Sequence, residues 1–165
     1  MIKVLYLAMS ILAFIELYSI GVSFLAEKVG EKDYKLCYIP FYAFYVVNRI
    51  AGVFKVLTIP VRKFHGMMIA VSLVGIFALL YACWGDIHLP IQSSPALWQI
   101  MGVVLAVCGL LFWLAILSSS RKIFRRFNVK REGWATLIAA LTITVPFQYI
   151  YYAKHNEPRS LKDMY

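Results

Sequence analysis

Charged side chains are scarce in this sequence. Asp, Glu, Lys and Arg make up 15% of the 165 residues, whereas hydrophobic residues make up 62% and the mean hydropathy is +0.73. A globular protein is usually about half apolar and about a quarter charged, so a water-soluble core of this size could not bury so much apolar surface. The composition excludes an ordinary soluble domain. It predicts an all-α integral membrane protein with a single membrane domain over residues 1–165.

Motifs for metal binding, nucleotide binding and covalent catalysis are also missing. Cys37, Cys83 and Cys108 form no C-x-x-C pair, and the chain has no H-E-x-x-H, no Walker-type loop and no G-x-G-x-x-G. His65, His88 and His155 lie in three different connectors, which gives no metal-ligand spacing. We therefore expect no cofactor and no metal site, and the sequence favours a protein that is not an enzyme.

Four apolar runs predict transmembrane helices. They cover residues 4–26, 66–85, 96–117 and 134–153. Each has about the 20 residues that an α-helix needs to cross a hydrocarbon core of about 30 Å, and Glu16 is the one charged residue among them. Pro146 lies in the last run, where we expect a kink.

The segment 38–61 is ambiguous, because it is long enough to cross but contains Arg49 and Lys55 and is bracketed by Pro40 and Pro60. On a helical wheel its polar residues share one side, which is typical of an amphipathic helix lying in the membrane interface. A flat placement on the cytoplasmic face also collects more Lys and Arg on one side than a crossing does. We expect four transmembrane helices plus this interfacial helix, with five transmembrane helices as the alternative.

A polar site within the membrane is predicted around Glu16. A charged residue near the middle of a span costs about 3 kcal/mol unless it is paired, solvated or protonated. Asn48 and Arg49 are its candidate partners, so these three residues form the predicted intramembrane polar site. The carboxyl group has two open interpretations, as an ion, proton or substrate contact or as a structural partner.

Basic residues concentrate beside the apolar runs, above all in a predicted cytoplasmic loop over 118–133. The formal net charge is +9. Positions next to spans indicate contact with anionic lipid headgroups or with a partner, and no groove-reading element for nucleic acid is evident. The predicted lipid or partner contacts are Lys55, Arg62, Lys63, Arg121, Lys122, Arg125, Arg126, Lys130 and Arg131.

Two stretches resemble a family of small bacterial polytopic membrane proteins. The first is a Lys-rich turn leading into Ile39, Pro40, Phe41 and Tyr42, where Ala43 replaces the family's Asn. The second is the basic and aromatic segment 121–152, where Asn128 replaces the family's usual Gly. The resemblance implies a bacterial membrane location and the topology with an interfacial helix, and it supplies no catalytic residue.

Three functional hypotheses follow. The first is a non-enzymatic accessory or scaffold subunit of a membrane complex in the bacterial cytoplasmic membrane, with a membrane protein or further copies of the chain as partner. The second is a transporter or channel component in which Glu16 lines a polar pathway. The third is an intramembrane enzyme acting on a lipid or peptide through Glu16, His65, Asp86 or His88.

Overall fold

The computed structural model of the chain describes residues 2–39, 41–56, 59–61, 63–84 and 95–160. Over these ranges the protein is mostly helical, with six α-helices and one pair of short antiparallel strands. The helices are α1 (Ile2–Val29), α2 (Tyr42–Ala51), α3 (Phe64–Trp84), α4 (Pro95–Arg126), α5 (Glu132–Ala139) and α6 (Val145–His155), and the strands are β1 (Phe54–Val56) and β2 (Ile59–Val61). Two 3₁₀ turns, Tyr34–Tyr38 and Thr142–Thr144, precede α2 and α6.

The core lies where α1, α4 and α6 meet, with α2 packed across them. Tyr18, Tyr149 and Phe124 are among its largest buried side chains. Gly21 lets α1 approach α6 closely, because a Cβ there would lie 2.8 Å from the carbonyl oxygen of Pro146. The α1 and α6 backbones are therefore in near contact at this level.

One helix, Gln99–Arg126 within α4, is long and apolar enough to cross a membrane when the described residues are judged by length and composition. A second candidate is the bent pair Glu132–Ala139 and Thr142–His155. In the most apolar 18-residue stretch of this helix, 11% of the residues are buried within the protein. A helix that is apolar all round and largely uncovered supports a membrane location.

The helix that contains 96–117 extends further than the sequence analysis predicted. The expected connector over 118–133 was wrong in its first part, because α4 continues without a break to Arg126. A polar stretch of Ser, Lys and Arg begins at residue 118. These residues are compatible with a helix, so they do not end it. The end comes at Asn128, whose φ of 52° is left-handed and whose neighbour Val129 donates to the Phe124 carbonyl oxygen at 3.0 Å.

The run 134–153, predicted as one transmembrane helix with a kink, is divided between two helices, α5 and α6, by a sharp break. The chain bends by 114° between Glu132–Ala139 and Thr142–His155. Pro146 has no N–H to continue the ladder, and the Thr144 hydroxyl donates to the carbonyl oxygens of Ile138 and Leu141, both at 2.8 Å. The Trp113 indole N–H donates to the Ala140 carbonyl oxygen at 2.8 Å, which satisfies a backbone group at the break.

The predicted helix over 38–61 is much shorter in the structure. Its helical part is α2, 10 residues or about 15 Å long, which is half of what a crossing needs. Gly52 ends α2 with a φ of 67°, and β1 and β2 then form an antiparallel hairpin. As described, α2 is therefore too short to serve as a fifth transmembrane helix.

Both termini of the α5–α6 pair lie at one end of the bundle. Glu132, at the start of α5, forms an ion pair with Arg125 at 2.9 Å, and the Arg159 N–H donates to the Arg126 carbonyl oxygen at 2.7 Å. Between them the chain runs beside α4 as far as Trp113 and returns.

We call this end, where α1, α2, α4 and α6 terminate, the basic end. Of the 17 Lys and Arg residues, Arg62 and Lys162 lie outside the described ranges, and Lys3 alone among the rest lies towards the opposite end.

Candidate functional site

A groove at the basic end brings together several of the predicted contact residues. It lies between β1 and the last turns of α4 and has a volume of about 590 Å³. We call it the basic groove. Its lining residues are Val53, Phe54, Lys55, Ser118, Arg121, Lys122 and Arg125.

Local periodicity explains why these side chains converge. Residues 118, 121, 122 and 125 are spaced by three or four along α4, so they share one helix face. In β1 the side chains alternate, with Phe54 and Val56 buried and Lys55 exposed. The hairpin thus buries apolar side chains against the bundle and presents a cation to the groove.

The electrostatics of the basic groove are strongly positive. Arg125 is held by Glu132, whose two carboxylate oxygens lie 3.1 and 2.9 Å from its Nε. Lys55, Arg121 and Lys122 add three positive charges, and the described lining residues include no Asp or Glu. Because phosphate oxygens form charge-assisted hydrogen bonds with Arg and Lys, the groove suits a phosphate group.

Arg126 was predicted as a surface contact but faces inward. It is 7% exposed, and its Nη1 donates to the Ile50 carbonyl oxygen at 2.6 Å. Its Nε donates to the Arg159 carbonyl oxygen at 3.3 Å. Arg126 therefore ties α4 to the end of α2 and to the C-terminal tail, a structural role that the sequence does not reveal because Arg125 and Arg126 are adjacent and chemically identical.

The other predicted contact residues lie outside the basic groove. Lys63, Lys130 and Arg131 are exposed at the basic end, where they add to its positive charge. Arg62 falls outside the described residues. The groove thus contains four of the nine predicted contacts, Lys55, Arg121, Lys122 and Arg125.

The predicted intramembrane polar site is not assembled within one chain. The Asn48 side-chain oxygen accepts a hydrogen bond from the Phe64 N–H at 3.3 Å, which caps the start of α3. Arg49 pairs with Glu31 at 2.9 Å and Asp33 at 3.8 Å, beyond the end of α1. Glu16 lies about 20 Å before that end, on an exposed position of α1.

A second concavity, which we call the apolar groove, lies between α1, α3 and α4. Its volume is about 460 Å³, and its polar lining is limited to small groups of Ser10, Ser72 and Cys108. Phe41 borders it with a φ of 68°, a left-handed conformation that is unfavourable for a bulky residue. Sequence patterns do not reveal such a groove, because it arises where three apolar helices diverge.

A buried polar cluster joins α1, α4 and α6. The Ser120 and Tyr149 hydroxyls are 2.8 Å apart, and the rings of Tyr18 and Tyr149 are 5.9 Å apart. All three side chains are almost fully buried. Sequence reasoning missed this cluster, because tyrosines in an apolar run are equally typical of a membrane-interface belt.

The structure describes two of the four candidates for an acid and base pair, Glu16 and His65. His65 packs against Tyr45 with ring centroids 5.4 Å apart, and Asp86 and His88 lie outside the described residues. Over the described ranges, no group of three His, Cys, Asp or Glu side chains could hold a metal ion.

Comparison with protein-family models gives no match, and no curated protein or solved structure is significantly similar to the chain.

Proposed function

We propose that the chain is a non-enzymatic subunit of a membrane protein complex in the bacterial cytoplasmic membrane, and that it binds anionic phospholipid headgroups through the basic groove. The concentration of described Lys and Arg residues at one end of the bundle is the main support. In membrane proteins such an excess marks the cytoplasmic side, where anionic headgroups attract it by about 1 kcal/mol per basic residue.

The contacts of the fold support a specific topology. In this proposal α1, α3 and α4 cross the membrane, and α2 lies at the cytoplasmic interface. The α5–α6 pair enters and leaves on the cytoplasmic side as a re-entrant hairpin, since both of its termini contact the end of α4. The N-terminus is then outside and the C-terminal tail inside.

Exposed apolar faces support the assignment to a membrane complex. Val103, Leu110 and Leu73 on α3 and α4 are more than half exposed, as are Leu137 and Leu141 on the hairpin. Such surface needs lipid or another protein against it. We therefore favour a role through contacts with lipid and partners over chemistry.

Lipid titration tests the basic groove. The full chain would be purified in neutral detergent, and its thermal unfolding followed while phosphatidylglycerol or phosphatidylcholine is added. We expect a larger rise in Tm with the anionic lipid, and we expect the Arg121→Ala and Lys55→Ala double variant to lose most of the difference.

Lys130→Ala provides the matched control, because Lys130 is exposed at the same end but does not line the groove. Inorganic phosphate in place of lipid shows whether the headgroup suffices. An equal rise in Tm for both lipids, or an unchanged difference in the double variant, would contradict headgroup binding in this groove.

Purification from native membranes in mild detergent tests the subunit assignment. We expect a second membrane polypeptide in constant ratio. A lone chain that shifts a proton-sensitive dye in liposomes only while Glu16 is intact would support transport instead.

A further inference from the structure

Glu16 lies on the outer face of α1, away from the bundle. The stripe of α1 that packs inward contains Tyr18, Val22 and Leu25, none of which is more than 1% exposed. Glu16 belongs to the opposite side together with Ala13 and Met9, which precede it by one and two helix turns and are exposed. Met9 is 59% exposed. The carboxyl group therefore points out of the chain's own bundle.

The described part of the chain provides no partner for this carboxyl group. No hydrogen bond or ion pair joins Glu16 to any other described residue. Arg49, which the sequence predicted as its partner, pairs with Glu31 instead. At a rise of 1.5 Å per residue, Glu16 is about 20 Å from the end of α1 at Val29. A Glu side chain is too short to reach the headgroups from there.

A carboxyl group at this depth is therefore placed against hydrocarbon unless another polypeptide covers it. Acidic residues within spans usually pair with a cation or line a cavity. The surrounding face of α1 is apolar apart from Glu16 and includes the small Ala13, so a second helix can approach closely.

Among the described residues, a second copy of this chain offers no Lys or Arg at the depth of Glu16. Copies inserted in one membrane share one orientation, so groups meet at equal depth. All described Lys and Arg except Lys3 lie towards the basic end, and Lys3 is about 20 Å from Glu16 towards the N-terminus. A parallel pair of copies would place Glu16 beside Glu16.

We infer that the outer face of α1 around Ala13 and Glu16 docks a transmembrane helix of a different polypeptide, which places a Lys, Arg or His side chain beside Glu16 near the middle of the bilayer. This inference rests on the proposed function as a subunit of a membrane complex. It names the chemistry of the partner: an apolar helix with one intramembrane cation.

Site-specific photocross-linking in native membranes tests it. A photoreactive residue at Ala13 lies on the proposed surface, and one at Leu110, an exposed position of α4, is the matched control. We expect Ala13 to capture a single foreign polypeptide through a segment that contains a cation. Glu16→Lys should reduce that product at least about tenfold, and exchange of the partner's cation for Glu should restore it.

Because Glu16 is exposed and unpaired within the described residues, Glu16→Lys and Glu16→Gln should leave the Tm of the purified chain unchanged. Glu16→Gln separates a loss of charge from an introduced repulsion and should also reduce the product.

Capture of a second copy of this chain, of lipid alone or of a segment without a cation would overturn the inference, and so would a product insensitive to Glu16→Lys. If the partner still copurifies with Glu16→Lys, the inference fails while the proposed function stands. If no partner copurifies with the unaltered chain, the proposed function fails as well.

Discussion

The guanidinium group of Arg126 donates to the backbone carbonyl oxygen of Ile50, with 2.6 Å between Nη1 and oxygen. Ile50 is in the last turn of α2, where carbonyl groups have no partner within the helix and the helix dipole is negative. The same side chain donates to the Arg159 carbonyl oxygen. One buried cation thus satisfies two backbone acceptors and holds three separate segments together at the basic end.

Replacement of Arg126 by Met should destabilise the fold. Met keeps much of the length of the side chain but leaves two partly buried carbonyl oxygens without their charged donor, and hydrogen bonds of that kind contribute about 1.5 to 3 kcal/mol each. We expect a loss of about 3 kcal/mol in the free energy of unfolding, measured by SDS titration of the chain in mixed micelles.

Arg121→Met is the matched control, since Arg121 is exposed on the same helix. A change within about 0.5 kcal/mol is expected there, as for most surface substitutions. Equal losses in the two variants would show that the charge, and not the buried hydrogen bonds of Arg126, stabilises this end.

Apolar run length located the long helices well, because the runs 4–26 and 96–117 lie within α1 and α4, and the described part of the run 66–85 lies within α3. The boundaries were less accessible. The onset of charge at Arg121 does not end α4. The helix stops only where the backbone turns into the left-handed region, at Asn128. Asn is among the residues that accept that conformation best after Gly, which explains how α4 can end here without a glycine.

Backbone breaks and side-chain orientation were harder to predict for a physical reason. Hydropathy over 134–153 is uniform across the 114° bend, because Thr142, Thr144 and Pro146 are tolerated in apolar helices and only tertiary contacts such as Trp113 with Ala140 fix the reversal. The outward position of Glu16 was equally hidden. α1 is apolar on all sides, so no periodicity distinguishes its packed face from its exposed one.

Gly21→Ala should weaken the packing of α1 on α6. The new Cβ would lie 2.8 Å from the Pro146 carbonyl oxygen and 3.2 Å from the Tyr149 Cβ, and backbone atoms cannot move aside cheaply. Overpacking of this kind costs about 1 to 3 kcal/mol, which SDS titration would detect.

Gly102→Ala is the control, because nothing lies within 4 Å of a Cβ at that position of α4. There we expect an unchanged free energy of unfolding or a gain of up to about 1 kcal/mol, from the higher helix propensity of Ala. If Gly21→Ala proves as stable as Gly102→Ala, α1 and α6 are not in near contact.

The thiol of Cys37 should react slowly with iodoacetamide. Burial in the turn before α2 raises the pKa of Cys37 from 9.0 to about 11, and the thiolate is the reactive form. At pH 8 the thiolate fraction is then about a hundredfold lower than in the SDS-unfolded chain. The Cys37→Ala variant supplies the background from the other two cysteines.

The sign of the linked stability follows from the raised pKa. The folded state keeps the proton, so its stabilisation is complete below pH 9, the unfolded value, and is lost as the pH rises towards about 11. Cys37→Ala should abolish this alkaline loss of stability. Alkylation of folded Cys37 with a midpoint near pH 9 would contradict the burial of its thiol.

Cysteine labelling distinguishes the re-entrant hairpin from a conventional last span. In a background without the three native cysteines, single cysteines at Lys32, Lys130 and Glu157 would be treated with a membrane-impermeant maleimide in right-side-out and inverted vesicles. Glu157 is 82% exposed, and its ion pair with Lys28 is at the surface, so its replacement costs little. Because α5 begins beside Arg125 and the tail returns to Arg126, all three positions should label only in inverted vesicles.

A conventional span between Lys130 and Glu157 would instead place their labels on opposite sides. In that case the contacts that bring Arg159 back to α4 could not form in the membrane, and neither could the second hydrogen bond of Arg126.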